Sequence, residues 1–498
     1  MKIRYFITAV AVAASTVFSA CSLDEKMESS EPGTYFQTRA QCESDVNSCY
    51  YTLKNIYTNA FMIATEGVTD LAEIYSATVD CTLDISPSQP RFGATVWTQA
   101  YRGVMFCNSV IAGIERSPLP AKDKIELKGE AQIIRAFYYY LLTSFFGDVP
   151  YYTVDVATQE IQLEIARLPR MSAVETRNKL IAELQELCPL LPQKRTSDIE
   201  GNRAGAAMGW MLIAKMAAWN KDWDTVIDAV DHLEEIYGDL NQYPLEDIMF
   251  RNKNTPESIF EIQHTYTIGG VNYSSNVAAI CMPYPKTQNV AVYDGVEIDE
   301  LGATATAWQP MRPNALLAST LLYKGVTDKR DALTLVHGGY NGQNFASATG
   351  RTWMGPKFWC PGMYQTYDSN NYKVFRYADA ILLKAEAYCM KESDAGMAVE
   401  YINKTRRRAE AGDYTFRNWT KLFEEIMDER ARELFGEFQR KFDLVRWGLF
   451  YERVRAFSGY TKVQDNIQPC HEYYPIPDTE VVYSGYALDN DAYHACGL

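Results

Sequence analysis

Residues 428–448 read DERARELFGEFQRKFDLVRWG, and this stretch decides how the C-terminal part of the chain is interpreted. Glu429 and Glu433 stand four residues apart, which places both carboxylates on one face of a helix. The same stretch contains four arginines, Arg430, Arg432, Arg440 and Arg446. Their charges would keep both carboxylates ionised, whereas a glycosidase needs one protonated carboxyl group. The stretch therefore predicts a network of ion pairs that holds helices together, not an active site.

Working outward, the helical sequence repeats one unit, a pair of helices joined by a short turn. Residues 204–219 are apolar and rich in Ala and Gly, and an amphipathic stretch, 223–237, follows after a three-residue break. Three further pairs show the same arrangement: 41–61 with 92–114, 131–146 with 173–187, and 376–390 with 396–409. Such units look like tetratricopeptide repeats, which stack into a curved scaffold. The sequence predicts a mainly α fold built on tetratricopeptide-like helical hairpins.

The middle of the chain, residues 241–370, has a different character. It covers about a quarter of the sequence but holds 11 of the 29 Gly and 8 of the 20 Pro. Because these residues interrupt helices, the segment predicts an insert of irregular loops and short strands, where binding residues tend to concentrate. We predict one compact unit made of five segments: a signal peptide (1–20), a tether (21–38), an N-terminal helical region (39–240), the insert (241–370) and a C-terminal helical region (371–498).

The N-terminus is typical of an export signal. Lys2 and Arg4 precede an apolar run, 5–18, and the small residues Ser19 and Ala20 stand before Cys21. This arrangement resembles a bacterial lipobox, in which the Cys21 thiol is lipidated and becomes the first residue; an ordinary cleavable signal is the alternative. The acidic residues that follow look like the surface-export signal of Bacteroidetes lipoproteins. The apolar run is too short to span a membrane, so we expect a lipid-anchored, exported protein.

Composition and motif searches exclude several functional classes. A net charge of -15 disfavours nucleic-acid binding, and the sequence contains no HExxH, GxSxG, P-loop or GxGxxG motif. The 11 cysteines include no CxxC pair, so we expect most to be buried thiols, with disulfides as the alternative. One acidic loop carries Asp294, Glu297, Asp299 and Glu300, whose carboxylates would offer oxygen ligands to Ca²⁺. Because the EF-hand spacing is absent, a solvated loop without a metal is favoured. No other cofactor or metal is expected.

Six blocks of sequence, in order, resemble the SusD/RagB family of outer-membrane nutrient-binding lipoproteins. They are RAFYYYLLTSFFGDVP from Arg135, NRAGAAMGWMLIAK from Asn202, ESIFEIQ from Glu257, FRYADAILLKAEAY from Phe375, the stretch from Asp428, and YPIPDTEV from Tyr474. The resemblance spans nearly the whole mature chain. It implies the SusD-like fold, a tetratricopeptide-like scaffold with an irregular, ligand-facing insert.

The resemblance also implies a role without catalysis. A member of this family captures glycans at the cell surface and passes them to a SusC-like TonB-dependent outer-membrane transporter. Peptide capture, as by a RagB-like protein, is the alternative within the family. An exported glycoside hydrolase and a structural or adhesive lipoprotein are the alternatives outside it.

A glycan site needs aromatic rings for the apolar faces of sugars and polar groups for their hydroxyls. Composition and loop context select five aromatic candidates in the insert, Tyr273, Tyr284, Trp308, Trp353 and Trp359. The polar candidates beside them are Asn272, Asn276, Arg312 and Arg351. The resemblance adds Asp70 and Tyr75, because the loop after the first helix often contributes to the ligand face in this family. For each aromatic residue, packing in a core or loop is the alternative.

Overall fold

A computed structural model describes residues 35–74, 79–266, 273–283, 292–293, 296–297, 304–308, 311–340, 343–344 and 352–498. The helices are α1 (Arg39–Tyr50), α2 (Leu53–Ile56), α3 (Asn59–Met62), α4 (Phe92–Arg116), α5 (Ala121–Phe146), α6 (Gln159–Ile165), α7 (Ala173–Leu187), α8 (Ala206–Asn220), α9 (Trp223–Tyr237), α10 (Val277–Cys281), α11 (Arg330–Thr334), α12 (Tyr377–Met390), α13 (Ala395–Arg408), α14 (Trp419–Leu434), α15 (Arg440–Arg446), α16 (Phe450–Phe457), α17 (Thr461–Asn466), α18 (Asp478–Tyr483) and α19 (Asp491–Ala495). Within these ranges, no helix combines the length and apolar composition that crossing a membrane requires.

Helices α8 and α9 form the predicted hairpin. Lys221 adopts a left-handed conformation at the end of α8, and the Asp222 carboxylate caps α9 by accepting a hydrogen bond from the Thr225 N–H group (3.3 Å). Helix α12 pairs with α13 in the same way, α5 packs on α7, and α9 packs on α12. The hairpins therefore stack through neighbouring helices, and the predicted helical scaffold is confirmed.

The first predicted hairpin is less regular than expected. Residues 41–61 do not form one arm, because the chain leaves the helical conformation at Tyr57 (ψ 81°) and is extended at Thr58. The pieces α1 and α2 nevertheless pack on α4 as predicted. Helix α5 ends at the expected glycine, Gly147, but begins at Ala121, since its polar first turns carry no apolar signal.

The described strands form six pairs. They are β1 (Ala72–Glu73) with β6 (Arg312–Pro313), β2 (Ser258–Ile262) with β12 (Tyr372–Arg376), β3 (Val292–Tyr293) with β4 (Val296–Glu297), β5 (Thr304–Ala305) with β11 (Tyr364–Gln365), β7 (Leu335–His337) with β10 (Thr352–Met354), and β8 (Gly339–Tyr340) with β9 (Gln343–Asn344). Strands β2 and β12 are antiparallel and fully buried, and they join the two ends of the insert beside α12. The predicted loops and short strands are confirmed in the described part of the insert, while the exact segment boundaries stay a prediction.

Two clusters of buried side chains organise the core. The larger cluster extends from Cys42 to Tyr493 and unites the N-terminal and C-terminal helices. The smaller cluster, which we call the insert core, has nine members: Ala278, Ala279, Met282, Ala305, Val336, Trp353, Trp359, Cys360 and Met363. The ten described cysteines are free thiols and nine of them are buried, which agrees with the prediction that most act as small apolar residues.

The carboxylates predicted to form ion pairs, Glu429 and Glu433, are fully buried on α14. Arg330 donates to both, at 2.8 Å and 3.0 Å, and Arg376 donates to Glu433 at 3.1 Å. Burial alone would raise the pKa of Glu429, but the charges of Arg330 and Arg432 outweigh it and lower that pKa to about 2. An ion-pair network that keeps both carboxylates ionised at neutral pH is confirmed, but its partners differ from those expected. Of the four arginines in residues 428–448, only Arg432 pairs with one of the two carboxylates, Glu429, at 2.9 Å, and the other partners come from distant segments.

Glu66 is a buried carboxyl group whose pKa shifts in the opposite direction. It lies in the π-helical turn Ile63–Gly67 and accepts hydrogen bonds from the backbone N–H groups of Gln439 (2.8 Å) and Arg440 (3.2 Å). Because desolvation outweighs these bonds, the pKa of Glu66 rises from 4.5 to about 7. Folding therefore favours its protonated form.

We expect Glu66 to make stability depend on pH between 5 and 8. A carboxyl group whose pKa is raised by folding contributes stability that is complete below the unfolded pKa, 4.5, and lost as the pH rises through 7. Relative to Glu66→Gln, the natural chain should lose about 2–3 kcal/mol of unfolding free energy between pH 5 and pH 8. Urea denaturation of both proteins at the two pH values measures this difference, and parallel pH dependences would contradict it.

Candidate functional site

Five aromatic side chains of the insert reach solvent on segments that are bound to one another. We call this set the aromatic surface: Tyr266, Tyr273, Trp308, Tyr364 and Tyr367. Trp308 is 40% exposed and Tyr364 is 54% exposed. Strand β11, which carries Tyr364, runs parallel to β5, and the Thr306 N–H group donates to the Gln365 carbonyl at 2.9 Å. Tyr364 and Trp308 therefore project from adjacent segments.

Hydrogen bonds tie the other members of the aromatic surface to the same framework. The Tyr266 hydroxyl donates to the Tyr367 carbonyl (2.5 Å), and the Thr265 N–H group donates to the Tyr273 carbonyl (2.8 Å). The Trp308 N–H group donates to Ala279, a member of the insert core, at 2.9 Å. These hydrogen bonds order the backbone that carries the exposed rings. Binding a ligand therefore costs less conformational entropy of the protein.

Asp368 fixes the segments beneath the aromatic surface. Its buried carboxylate accepts hydrogen bonds from the N–H groups of Ala278 (2.9 Å) and Asn370 (3.0 Å) and from the Ser275 hydroxyl (3.2 Å). Burial raises its pKa from 3.8 to about 6 despite these bonds. Because the Asp368 side chain is fully buried among these groups, its role is to position the segments that carry Tyr273 and Tyr367.

A polar pair connects the insert with the loop after the first helices. Strand β1 pairs with β6, which brings the Arg312 guanidinium to 3.2 Å from the Glu73 carboxylate. The same guanidinium lies 5.7 Å from the centroid of the Trp353 ring. Both members of the pair keep some exposure, 15% and 13% of their side chains. Charged groups of this kind suit the hydroxyl rim of a sugar.

The predicted site residues fall into three groups. Tyr273, Trp308 and Arg312 are accessible, as a ligand contact requires. Trp353 and Trp359 are instead buried in the insert core, so for them the packing alternative is correct. A Trp ring buried in the insert core removes more apolar area from water than the same ring would on an exposed loop.

Asp70 requires a second correction. Its side chain is fully buried and accepts hydrogen bonds from Arg440 (2.7 Å) and Arg453 (2.8 Å). Burial would raise its pKa, but these two charges outweigh that effect and lower it. The Asp70 carboxylate therefore holds the loop on α15 and α16, and the expectation that it contacts the ligand is wrong.

Several predicted residues lie outside the described residues: Cys21, Tyr75, Asn272, Tyr284, Arg351, Asp294, Asp299, Glu300 and the side chain of Glu297. Asn276 is described, and its side-chain amide oxygen Oδ1 accepts a hydrogen bond from the backbone N–H group of Asn59 (2.9 Å). Among the side chains that the structure describes, no group of three His, Cys, Asp or Glu residues is arranged to hold a metal ion.

Sequence reasoning missed three members of the aromatic surface, Tyr266, Tyr364 and Tyr367. A signal for two of them was present, because Pro361 and Gly362 predict a turn just before the sequence MYQTY. Tyrosines that follow such a turn come to lie on a surface loop, where their rings are accessible.

Two family models match this chain. Residues 324–491 match the model described as "SusD family", and residues 23–209 match the model described as "Starch-binding associating with outer membrane". Between them they cover more than two thirds of the chain.

The chain belongs to the SusD family.

The family and the fold inferred from the six sequence blocks are thereby confirmed. Among SusD-family relatives, SusD-like protein P25 of Formosa agariphila is 24% identical over 99% of this chain and 99% of its own length. Starch-binding protein SusD of Bacteroides thetaiotaomicron is 30% identical, over 27% of this chain and 23% of its own. The structure of surface glycan-binding protein A from Bacteroides thetaiotaomicron in complex with laminarihexaose superposes with a TM-score of 0.70 and 20% identity, covering 91% of this chain and 99% of that one.

The SusD-family models leave residues 210–323 unmatched. This interval contains Tyr266, Tyr273 and Trp308, three of the five members of the aromatic surface. The other two members, Tyr364 and Tyr367, lie within the part of the chain that the SusD family model matches.

Proposed function

We propose that this chain captures oligosaccharides at the cell surface and delivers them to a SusC-like TonB-dependent transporter. A lipid on Cys21 anchors it in the outer membrane, and it binds its ligand without catalysing a reaction and without a cofactor. The N-terminal family model, whose description refers to the outer membrane, supports this location.

One observation carries the proposal, the exposure of Trp308 and Tyr364 on a rigid backbone. An indole and a phenol ring on adjacent segments offer flat apolar area to the C–H faces of sugar rings. Most tryptophans of a folded chain bury this area. The names of two relatives, one starch-binding and one bound to laminarihexaose, support a carbohydrate as the ligand.

The carboxylates near the aromatic surface favour binding over hydrolysis. A retaining or inverting glycosidase needs two carboxyl groups that face each other across a sugar. Among the described residues at this surface, Asp368 is buried against backbone N–H groups and Glu73 is paired with Arg312. Neither is arranged as a general acid.

We expect Trp308→Ala to weaken glycan binding by about fivefold or more, because the loss of one stacked ring removes about 1 kcal/mol or more of binding free energy. A glycan array with the soluble chain from Ser22 onward identifies the ligand, and calorimetry with that glycan then compares the variants. Tyr483→Ala is the matched control, since Tyr483 is 77% exposed but lies on α18, outside the insert.

Equal glycan affinity of the Trp308→Ala and Tyr483→Ala variants would show that the aromatic surface is not the binding site. Product analysis after prolonged incubation adds a second criterion: an intact oligosaccharide supports capture, whereas cleavage products would overturn the non-enzymatic assignment. If the array is silent and peptides bind, the RagB-like alternative replaces glycan capture.

A further inference from the structure

A groove of about 640 Å³ opens beside the aromatic surface, between α1, the middle of α4 and strand β2. We call it the α1–β2 groove. The residues that matter for its chemistry are Tyr51, Lys54, Phe106 and Tyr273 in its lining, and Arg102 stacked at its edge. Tyr273 also belongs to the aromatic surface, so the groove and that surface are continuous.

Cations and aromatic rings alternate along this groove. The Lys54 ammonium lies 5.0 Å from the centroid of the Tyr51 ring and 5.1 Å from that of Tyr273. The Arg102 guanidinium lies 5.9 Å from the Tyr51 centroid and 5.4 Å from the Phe106 centroid. The order is therefore Tyr273, Lys54, Tyr51, Arg102, Phe106. Tyr51 and Tyr273 are about half exposed, so their rings are available to a ligand.

These two cations differ from the other charged groups of the groove. Within the part of the chain that the structure describes, neither Lys54 nor Arg102 forms an ion pair with a carboxylate. Arg203, farther along the groove, pairs with Glu130 at 2.9 Å, and Glu261 pairs with Lys373 at 2.8 Å. Both cations are therefore available to an anionic ligand that enters the groove.

The chemistry of the groove suits an acidic sugar. The tyrosine rings offer stacking area to the C–H face of a pyranose, and Lys54 and Arg102 offer positive charge to a carboxylate or sulfate on the same ring. A neutral sugar would use the rings and leave both charges unsatisfied. An acidic peptide would supply the charge, but it offers no pyranose C–H face to the rings of Tyr51 and Tyr273.

We propose that the α1–β2 groove binds an anionic oligosaccharide, one that carries carboxylate or sulfate groups. This inference rests on the proposed function, glycan capture, and extends it by assigning a second contact region and a charge class. Capture of the acidic residue in the groove would leave the adjoining sugars over the aromatic surface, because Tyr273 borders both.

The test measures binding of four probes to the soluble chain from Ser22 onward by calorimetry: oligogalacturonate, a sulfated galactan oligosaccharide, a neutral oligosaccharide of equal length, and a polyglutamate peptide. We expect at least about tenfold tighter binding of one anionic glycan than of the neutral one, with an affinity that falls as salt rises. The two anionic glycans distinguish carboxylate from sulfate.

Variants locate the binding in the groove. The double variant Lys54→Gln, Arg102→Gln should bind the anionic glycan at least about tenfold more weakly than the natural chain. Lys122→Gln, which removes a charge whose side chain is 85% exposed and lies outside the groove, should change the affinity by less than about twofold. Thermal unfolding of each variant verifies that the fold is intact.

The outcomes separate this inference from the proposed function. Binding of the neutral glycan that depends on Trp308, with no preference for the anionic ones, overturns the groove assignment and leaves glycan capture standing. Binding of no glycan overturns both. Binding of polyglutamate, sensitive to the double variant, replaces the acidic sugar with an acidic peptide. If the double variant still prefers the anionic glycan, the charge of the ligand is recognised outside the α1–β2 groove, and the assignment is overturned.

Discussion

Glu433→Gln should lower the free energy of unfolding by about 3–5 kcal/mol. The Glu433 carboxylate accepts hydrogen bonds from Arg330 (3.0 Å), Arg376 (3.1 Å) and Arg408. All four side chains are buried, so a neutral amide would leave three guanidinium groups short of negative charge in a region that water does not reach. Urea denaturation at neutral pH measures the loss.

Glu424→Gln is the matched control for this substitution. Glu424 pairs with Lys421 at 2.6 Å, but both side chains are about half exposed. Solvent screens such a pair, so the same chemical change should alter stability by less than about 1 kcal/mol. Similar losses in the two variants would show that the buried network contributes no more than a surface pair.

Gly103→Ala should destabilise the chain by about 2–3 kcal/mol, although the same change in an ordinary helix is favourable. Gly103 lies on α4, and a Cβ atom there would stand 2.2 Å from the Tyr138 ring on α5. That ring cannot withdraw, because its hydroxyl donates to the Cys49 carbonyl (2.6 Å) and accepts from the Thr52 hydroxyl (2.8 Å). The methyl group must therefore separate α4 from α5.

A double-mutant cycle tests this explanation. In a Tyr138→Leu background the outer ring atoms that meet the new methyl group are absent, so adding Gly103→Ala should cost much less than in the natural chain. Met105→Ala, on the exposed side of the same helix, should change stability by less than about 1 kcal/mol. An equal cost of Gly103→Ala in both backgrounds would exclude the Tyr138 contact as the cause.

The sequence was sufficient for the hairpins and for the ion-pair network. The α8–α9 pair follows from local periodicity, and the ion pairing of Glu429 and Glu433 follows from the need to balance buried charge, while distant partners such as Arg330 were not predicted. These features depend mainly on residues close in sequence, or on the simple requirement that a buried charge be balanced. The interruption at Tyr57 and Thr58 was not predictable in this way, because short helices there fit surroundings supplied by other segments.

Asp70 and Trp359 show why the site was harder to predict. Asp70 is held by Arg440, which lies 370 residues later in the chain, and a polar loop residue with such a partner looks like any exposed acid in the sequence. Trp359 resembles Trp308 in composition and context, yet one packs in the insert core and the other reaches solvent. Whether such a Trp is buried or exposed depends on which other loops pack over it, and those loops can be distant in sequence. Tyr266 was missed for the same reason, whereas Tyr364 and Tyr367 follow a turn that the sequence does indicate.

The separation of the insert core from the larger cluster has a consequence for how this chain can change over evolutionary time. The nine residues of the insert core form a cluster of their own beneath the aromatic surface, while other insert residues, such as Ile280 and Phe358, belong to the larger cluster. Substitutions of the exposed rings above them therefore carry little penalty for the helical scaffold, whose own core forms without them. A change of ligand preference can then arise at a handful of surface positions while the helical scaffold keeps its fold.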